Sequence, residues 1–252
     1  AGVRISSSCD LEVILFVFAT ALSLRVKPGN RVTPEDVFAA VEAVYAKVKG
    51  AYSVVATLAD GGMVAFRDPY GIKPICFGEK RTEEGIWYAC ASESVVLDVI
   101  GYQRTVDIGP GTVVYITPDR EIVSRKIATK PHRPCIFELV YFARPDSMLD
   151  DISVYKTRVR FGQALAAQWK EAGAPLPDAV IPVPDSSRDA AMAMAGALGV
   201  PYREGLVKNR YIGRTFIMPS QNSRQSSVPR KLHTLRLEFE GKDVLLVDDS
   251  VV

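Results

Sequence analysis

Residues Asp243–Val247 read DVLLV and run straight into Asp248-Asp249-Ser250. A strand this uniformly apolar predicts cover on both faces, the usual situation in a parallel sheet layered with helices. The residues before it carry matching elements. Tyr155, Val159, Gly162, Leu165, Ala166 and Trp169 share one face of a helix that ends at Ala172-Gly173. A short apolar strand over Asp178–Val183, an alanine-rich helix over Ser187–Leu198 and a strand over Tyr202–Val207 follow. Strand, helix, strand in this order predicts an open, mostly parallel α/β sheet.

The first half of the chain is organised differently. An apolar run, Val13–Leu24, with Asp10 and Glu12 before or at its start, predicts a short buried helix with acids at its positive end. Thr33-Pro34-Glu35-Asp36 opens a second helix, with Val37, Ala40, Val41, Val44 and Val48 at helical spacing. Antiparallel strands follow. Tyr52–Leu58 and Met63–Arg67 join through Asp60-Gly61-Gly62, Asp68–Gly71 is a turn, Trp87–Ala91 is a strand, and Thr112–Ile116 pairs with Glu121–Ile127. Residues 128–134, ATKPHRP, are polar and proline-containing, which predicts one domain over 1–134 and another over 135–252.

Composition narrows the function classes. With 31 basic and 29 acidic residues the net charge is +2, so no whole-chain charge favours nucleic acid or an anionic membrane. Val13–Leu24 is about half the roughly 20 residues a membrane span needs. Cys9, Cys76, Cys90 and Cys135 form no C-x-x-C pair, which excludes a disulfide scaffold or a zinc ribbon and suits a cytoplasmic, reducing compartment. His132 and His233 stand in polar loops, where surface positions are expected. Cys9 has no neighbouring base that would make it a nucleophile.

Two strand ends carry the candidate chemistry. Asp248 and Asp249 end one strand where doubly wound sheets bind ligands, although Asp-Asp-Ser serves equally well as a turn and helix cap. Asp185, Ser186 and Ser187 end the other, where a serine N-cap for the next helix is the simpler reading. Together, such oxygens suit Mg²⁺. Between Arg203 and Arg236 there are eight basic residues and one acid, Glu204, in a loop rich in Gly, Pro and Ser. A long basic loop beside acidic strand ends predicts a clamp for a metal-chelated polyphosphate.

RDPYGIKPICFG (67–78), ASES (91–94), DIGPGT (107–112), FELVYFARPDS (137–147), KNRYIGRTFI (208–217) and VLLVDDS (244–250) resemble, in order, motifs of the glutamine phosphoribosylpyrophosphate amidotransferases. The resemblance covers the chain from about Ser8 to Val252. It implies an α+β, partial N-terminal-nucleophile glutaminase domain, then an α/β type I phosphoribosyltransferase domain, truncated, with a parallel sheet. It implies formation of 5-phosphoribosylamine, glutamate and pyrophosphate from glutamine and phosphoribosyl pyrophosphate in purine synthesis. Mg²⁺ is the implied cofactor, purine nucleotides the inhibitors, and a homo-oligomer the assembly. By resemblance, Asp248 and Asp249 meet ribose and metal and Ser186 is a further metal-associated position. Lys208, Arg210, Tyr211, Arg214 and Ile217 belong to a closing loop, and Asp10 meets the glutamine amino group. Cys135 matches one ligand of the 4Fe-4S cluster found in some members, with the other ligands expected beyond Val252.

Ala1 in place of Met and the apolar Val251-Val252 read as cut ends. The family's nucleophilic cysteine and its 5-phosphate loop are therefore expected outside these residues, and no activity is expected of the 252 residues alone. Two other readings accommodate the acidic strand end: a salvage-type phosphoribosyltransferase and a non-catalytic nucleotide-binding remnant.

Overall fold

The computed structural model of the chain describes residues 7–209 and 232–250. The chain forms two compact units, one of Ala1–Ile136 with Ser147–Asp151, the other of Phe137–Asp146 with Ile152–Val252. Among the described residues no helix is long and apolar enough to cross a membrane.

The first unit begins with α1 (Leu11–Ser23) and α2 (Pro34–Lys47). Thr33 starts α2 as the sequence predicts: its Oγ1 accepts the Asp36 N–H, and the Asp36 carboxylate accepts the Thr33 N–H. The strands are β1 (Ser53–Thr57), β2 (Met63–Arg67), β3 (Cys76–Thr82), β4 (Gly85–Ala91), β5 (Gln103–Asp107), β6 (Thr112–Ile116) and β7 (Ile122–Lys126), with α3 (Ser94–Val99) after β4. They make two antiparallel sheets, β1-β2-β6-β7 and β4-β3-β5.

The central strands β2 and β6 explain the layering. Val64, Phe66, Val113 and Tyr115 face Phe18 of α1 and Val37, Val41 and Val44 of α2. Ala65, Val114 and Ile116 face the other way, toward Phe77 of β3 and Ile108. Both strands are thus covered on both sides, which their near-continuous apolar sequences require. The short helix α1 is less covered than its sequence predicts. Ile14 and Phe18 are buried, but Leu11, Leu15 and Leu24 are exposed, since one face of the helix meets the core.

Arg67, at the end of β2, is 1% exposed and fully satisfied. Its guanidinium donates to both carboxylate oxygens of Asp150, at 2.6 and 2.9 Å, and to the carbonyls of Gly71, Lys73 and Ile108. The neighbouring Asp68, also buried, accepts the amides of Tyr70 and Ile72 and closes the turn, where Gly71 takes φ +63°. Segment Ser147–Asp151, containing β8 (Met148–Leu149), is held in this unit by Asp150, by the Ser147 hydroxyl donating to Glu93 and by the Met148 amide donating to Ser94. A single boundary after residue 134 gives no sign of this return.

The second unit contains a π-helical turn (Glu138–Phe142), β9 (Ile152–Ser153), α4 (Val154–Glu171), β10 (Ala179–Pro182) and α5 (Arg188–Leu198). β11 (Leu206–Lys208), β12 (Leu232–Thr234), a 3-10 turn (Arg236–Glu238) and β13 (Val244–Val247) complete it. β10 and β13 are parallel, with Ala179 opposite Val244 and Pro182 opposite Val247, and Tyr202 bridges Val180 in parallel on β10. β10 is buried throughout, whereas Leu246 of β13 is 50% exposed. The apolar DVLLV run is therefore not covered on both faces among the described residues.

Helix α4 buries Val154, Arg158, Gly162 and Ala166, a stripe rotated from the predicted one, and leaves Tyr155 and Leu165 exposed. Gly162 sets the closeness of α4 to α5, because a Cβ there would overlap the Ala190 carbonyl. Gly162→Ala is expected to cost about 1–3 kcal/mol in urea unfolding through overpacking. Gly196→Ala, on an exposed part of α5 with open space around it, is expected to stabilise by about 0.5–1 kcal/mol.

Candidate active site at two strand ends

The parallel register of β10 and β13 continues past the strands, where the Val183 amide donates to the Val247 carbonyl at 2.8 Å. Both chains therefore leave the sheet at the same end. Ser186 and Asp249, 63 residues apart, meet there, with the Ser186 hydroxyl donating to Asp249 Oδ2. The Asp249 amide donates to Asp248 Oδ1 at 2.8 Å, and the Ser250 hydroxyl to Asp249 Oδ1 at 3.0 Å. Ser187 occupies the N-cap position of α5 without capping it, because its hydroxyl donates back to the Val183 carbonyl.

Ser186, Asp248 and Asp249 line a crevice of about 550 Å³ within the second unit. Asp185, Ser186 and Asp189 form one wall, Asp248 and Asp249 another, and Lys208 reaches in from β11. Tyr141, Phe142 and Arg144 of the π-helical turn and its exit supply a third. Lys208 Nζ lies 2.8 Å from Asp185 Oδ2. Arg188 bridges Asp185, at 3.5 Å, and Glu204, at 3.2 Å.

The electrostatics are uneven. Withdrawal from water along the crevice wall pushes the Asp248 carboxyl above its ordinary range, and the Asp249 charge adds to this, although the Asp249 amide opposes it. Asp248 retains an exposed edge toward solvent. Burial likewise pushes Asp189 up, against the favourable charge of Arg158. Carboxylates disfavoured in this way gain from a cation brought in with a ligand.

Arg158 shapes the third wall. It is 4% exposed, and it donates through Nε to the Leu139 carbonyl at 2.9 Å and through a terminal nitrogen to the Ala143 carbonyl at 2.7 Å. It thereby fixes the turn carrying Tyr141 and Phe142. Sequence reading missed it, although its spacing of four from Val154 and Gly162 places a charge inside the buried stripe.

Of the positions singled out from sequence, Ser186, Lys208, Asp248 and Asp249 come together in this crevice. Arg210, Tyr211, Arg214 and Ile217 lie outside the described residues. Asp10 is exposed at the start of α1, makes no capping bond and does not line the crevice. Cys135 is a half-buried free thiol whose amide donates to the Ile72 carbonyl.

Among the described residues no three His, Cys, Asp or Glu side chains group for a metal ion. A closed protein cage is therefore not formed by those residues. Ser186, Asp248 and Asp249 nevertheless fit Mg²⁺, which takes hard oxygens, needs only one or two carboxylates, and fills its remaining positions with water and phosphate.

Acid-bearing ends of parallel strands around one crevice lie where open α/β sheets commonly bind ligands. The chain is related to the amidophosphoribosyltransferases. It is 52% identical over 251 residues to that of Pseudomonas aeruginosa, covering 99% of this chain and 50% of the relative. It is 46% identical to those of Escherichia coli and Saccharomyces cerevisiae, again over 99% of this chain and 50% of each relative. The structure matches glutamine phosphoribosylpyrophosphate amidotransferase from Bacillus subtilis, complexed with ADP and GMP, with a TM-score of 0.77 and 35% identity. That match covers 100% of this chain and 51% of the other. The chain thus spans about half the length of the relatives it matches. No family model matches it.

Replacing Arg158 with Leu is expected to cost about 2–4 kcal/mol in urea unfolding, since two carbonyls lose their donor in a buried place. Asp189→Asn is expected to act in the opposite direction. The folded carboxyl holds its proton to higher pH than the unfolded one, so its penalty is absent below the unfolded value and complete above the folded one. The variant should exceed wild type in stability at pH 7, with the difference closing as pH falls through the carboxylate range.

Proposed function

We propose that this chain is the phosphoribosyl-binding part, with a portion of the glutamine-handling part, of an amidophosphoribosyltransferase. The observation that carries the reading is the meeting of Ser186, Asp248 and Asp249 around one crevice that Lys208 enters. In this reading residues 1–134 form part of an N-terminal-nucleophile glutaminase domain, and residues 135–252 part of a type I phosphoribosyltransferase domain. The whole enzyme converts glutamine and phosphoribosyl pyrophosphate to 5-phosphoribosylamine, glutamate and pyrophosphate, with ammonia passing between the parts.

The crevice suits the transfer half of that reaction. Breaking the bond between C1 of ribose and pyrophosphate leaves positive charge on the sugar and negative charge on the leaving group. Asp248 and Asp249 offer carboxylates to the ribose hydroxyls and to Mg²⁺, while Ser186 orients Asp249 through its hydroxyl. The ammonium of Lys208, among the residues that line the crevice, is a cation available to a pyrophosphate bound there. The chemistry that Mg²⁺ supplies when bound is neutralisation of the pyrophosphate charge. The protein's own contribution is position and charge rather than a covalent nucleophile.

On the glutamine side the reading assigns Asp10 to the substrate amino group. Arg210, Tyr211, Arg214 and Ile217 are assigned to closure over the phosphoribosyl ligand. ADP and GMP in the Bacillus subtilis complex support purine nucleotides as ligands, and as inhibitors, of the whole enzyme. A homo-oligomer and, through Cys135, an iron–sulfur cluster belong to the same proposal for the whole protein.

Phosphoribosyl pyrophosphate with Mg²⁺ should raise the unfolding temperature of the chain and bind saturably in calorimetry. Replacing Asp248 and Asp249 together with Asn should weaken binding by about tenfold or more, since two charge-assisted contacts are lost. Equal binding by wild type and double variant would overturn the reading.

A further inference from the structure

Asp185 is a crevice carboxylate with no part in the scheme above. It immediately precedes Ser186, and its Oδ2 stands 2.8 Å from the Lys208 ammonium. Its Oδ1 lies 3.5 Å from Arg188, which also holds Glu204 at 3.2 Å. The lysine that a polyphosphate would require is therefore already paired, and the partner is an acid that lines the same crevice.

The pair is exchangeable. The Lys208 and Asp185 side chains are 38% and 55% exposed, and an ion pair in such water contact contributes little. A phosphate oxygen, more highly charged and brought in on a bound ligand, competes well for the same ammonium. Arg188 differs, because Glu204 and Asp185 share it and it keeps a partner when Asp185 moves away. A dense group of acids, Asp185, Asp189, Asp248 and Asp249, also opposes any anion that arrives without a cation.

We propose that Asp185 is a positioning residue that competes with the ligand's phosphates for Lys208. In the empty crevice it holds the ammonium at the wall. When a phosphate group binds, Lys208 changes acceptor, and when pyrophosphate leaves, Asp185 takes the ammonium back. The carboxylate thus sets how weakly the crevice retains the leaving group. This inference rests on the phosphoribosyl reading of the crevice.

The test is calorimetric binding of inorganic pyrophosphate with Mg²⁺ to the 252-residue chain at low ionic strength. Asp185→Asn is expected to bind pyrophosphate about threefold more tightly than wild type, the scale of an exposed ion pair. The gain should shrink in about 1 M salt, where the screening length falls to about 3 Å. Glu204→Gln, which removes a charge bound to Arg188 and Tyr202, should stay within about twofold of wild type. A gain in affinity is not an effect that damage to the fold produces. Equal or weaker binding by Asp185→Asn, or the same gain in Glu204→Gln, would overturn the exchange while leaving the crevice reading in place. Failure of wild type itself to bind pyrophosphate would overturn both.

Discussion

The parallel pairing of β10 with β13 is the constraint on which the site depends. Four residues of register, Ala179–Pro182 against Val244–Val247, fix which end of each strand emerges beside the other. The Val183–Val247 hydrogen bond carries that alignment into the loops, and Ser186 reaches Asp249 as a consequence. An antiparallel pairing would send the two acidic ends to opposite edges of the sheet. The apolar strands thus create the polar site, because their parallel register brings the acids that follow them to one end of the sheet.

That origin explains what could be read from sequence. The apolar runs of β10 and β13 and the acids that follow them are local signals, as is the Thr33 capping box of α2. β2 and β6 read as continuous apolar strands because both faces are covered, by helices on one side and β3 on the other. DVLLV obeys the same rule less closely, since Leu246 lies exposed among the described residues. Local pattern reports a strand's tendency to be buried but does not identify what buries it.

What stayed hidden depends on long-range partners. Arg67 looks like the polar end of a strand, yet it is buried because Asp150, 83 residues later, supplies both oxygens of its carboxylate. The return of Ser147–Asp151 to the first unit follows from that pair and from Glu93 and Ser94. Arg158 was legible only as an oddity within a helical stripe, and its purpose emerges when the carbonyls of Leu139 and Ala143 are seen around it. A net charge of +2 likewise conceals a crevice where four aspartates face Lys208, Arg144 and Arg188. The family motifs were legible because they are contiguous, and the meeting of the two acidic strand ends because a parallel sheet puts both at one end.

In the proposed function both strand ends serve one phosphoribosyl pyrophosphate site. Mn²⁺ in place of Mg²⁺, added with that ligand to isotopically labelled chain, would report this through paramagnetic broadening of backbone amide signals. A shared site gives simultaneous broadening at residues 185–187 and 248–250, with the strand starts at Ala179 and Val244 much less affected. Broadening confined to one strand end, or spread over residues away from the crevice, would contradict it.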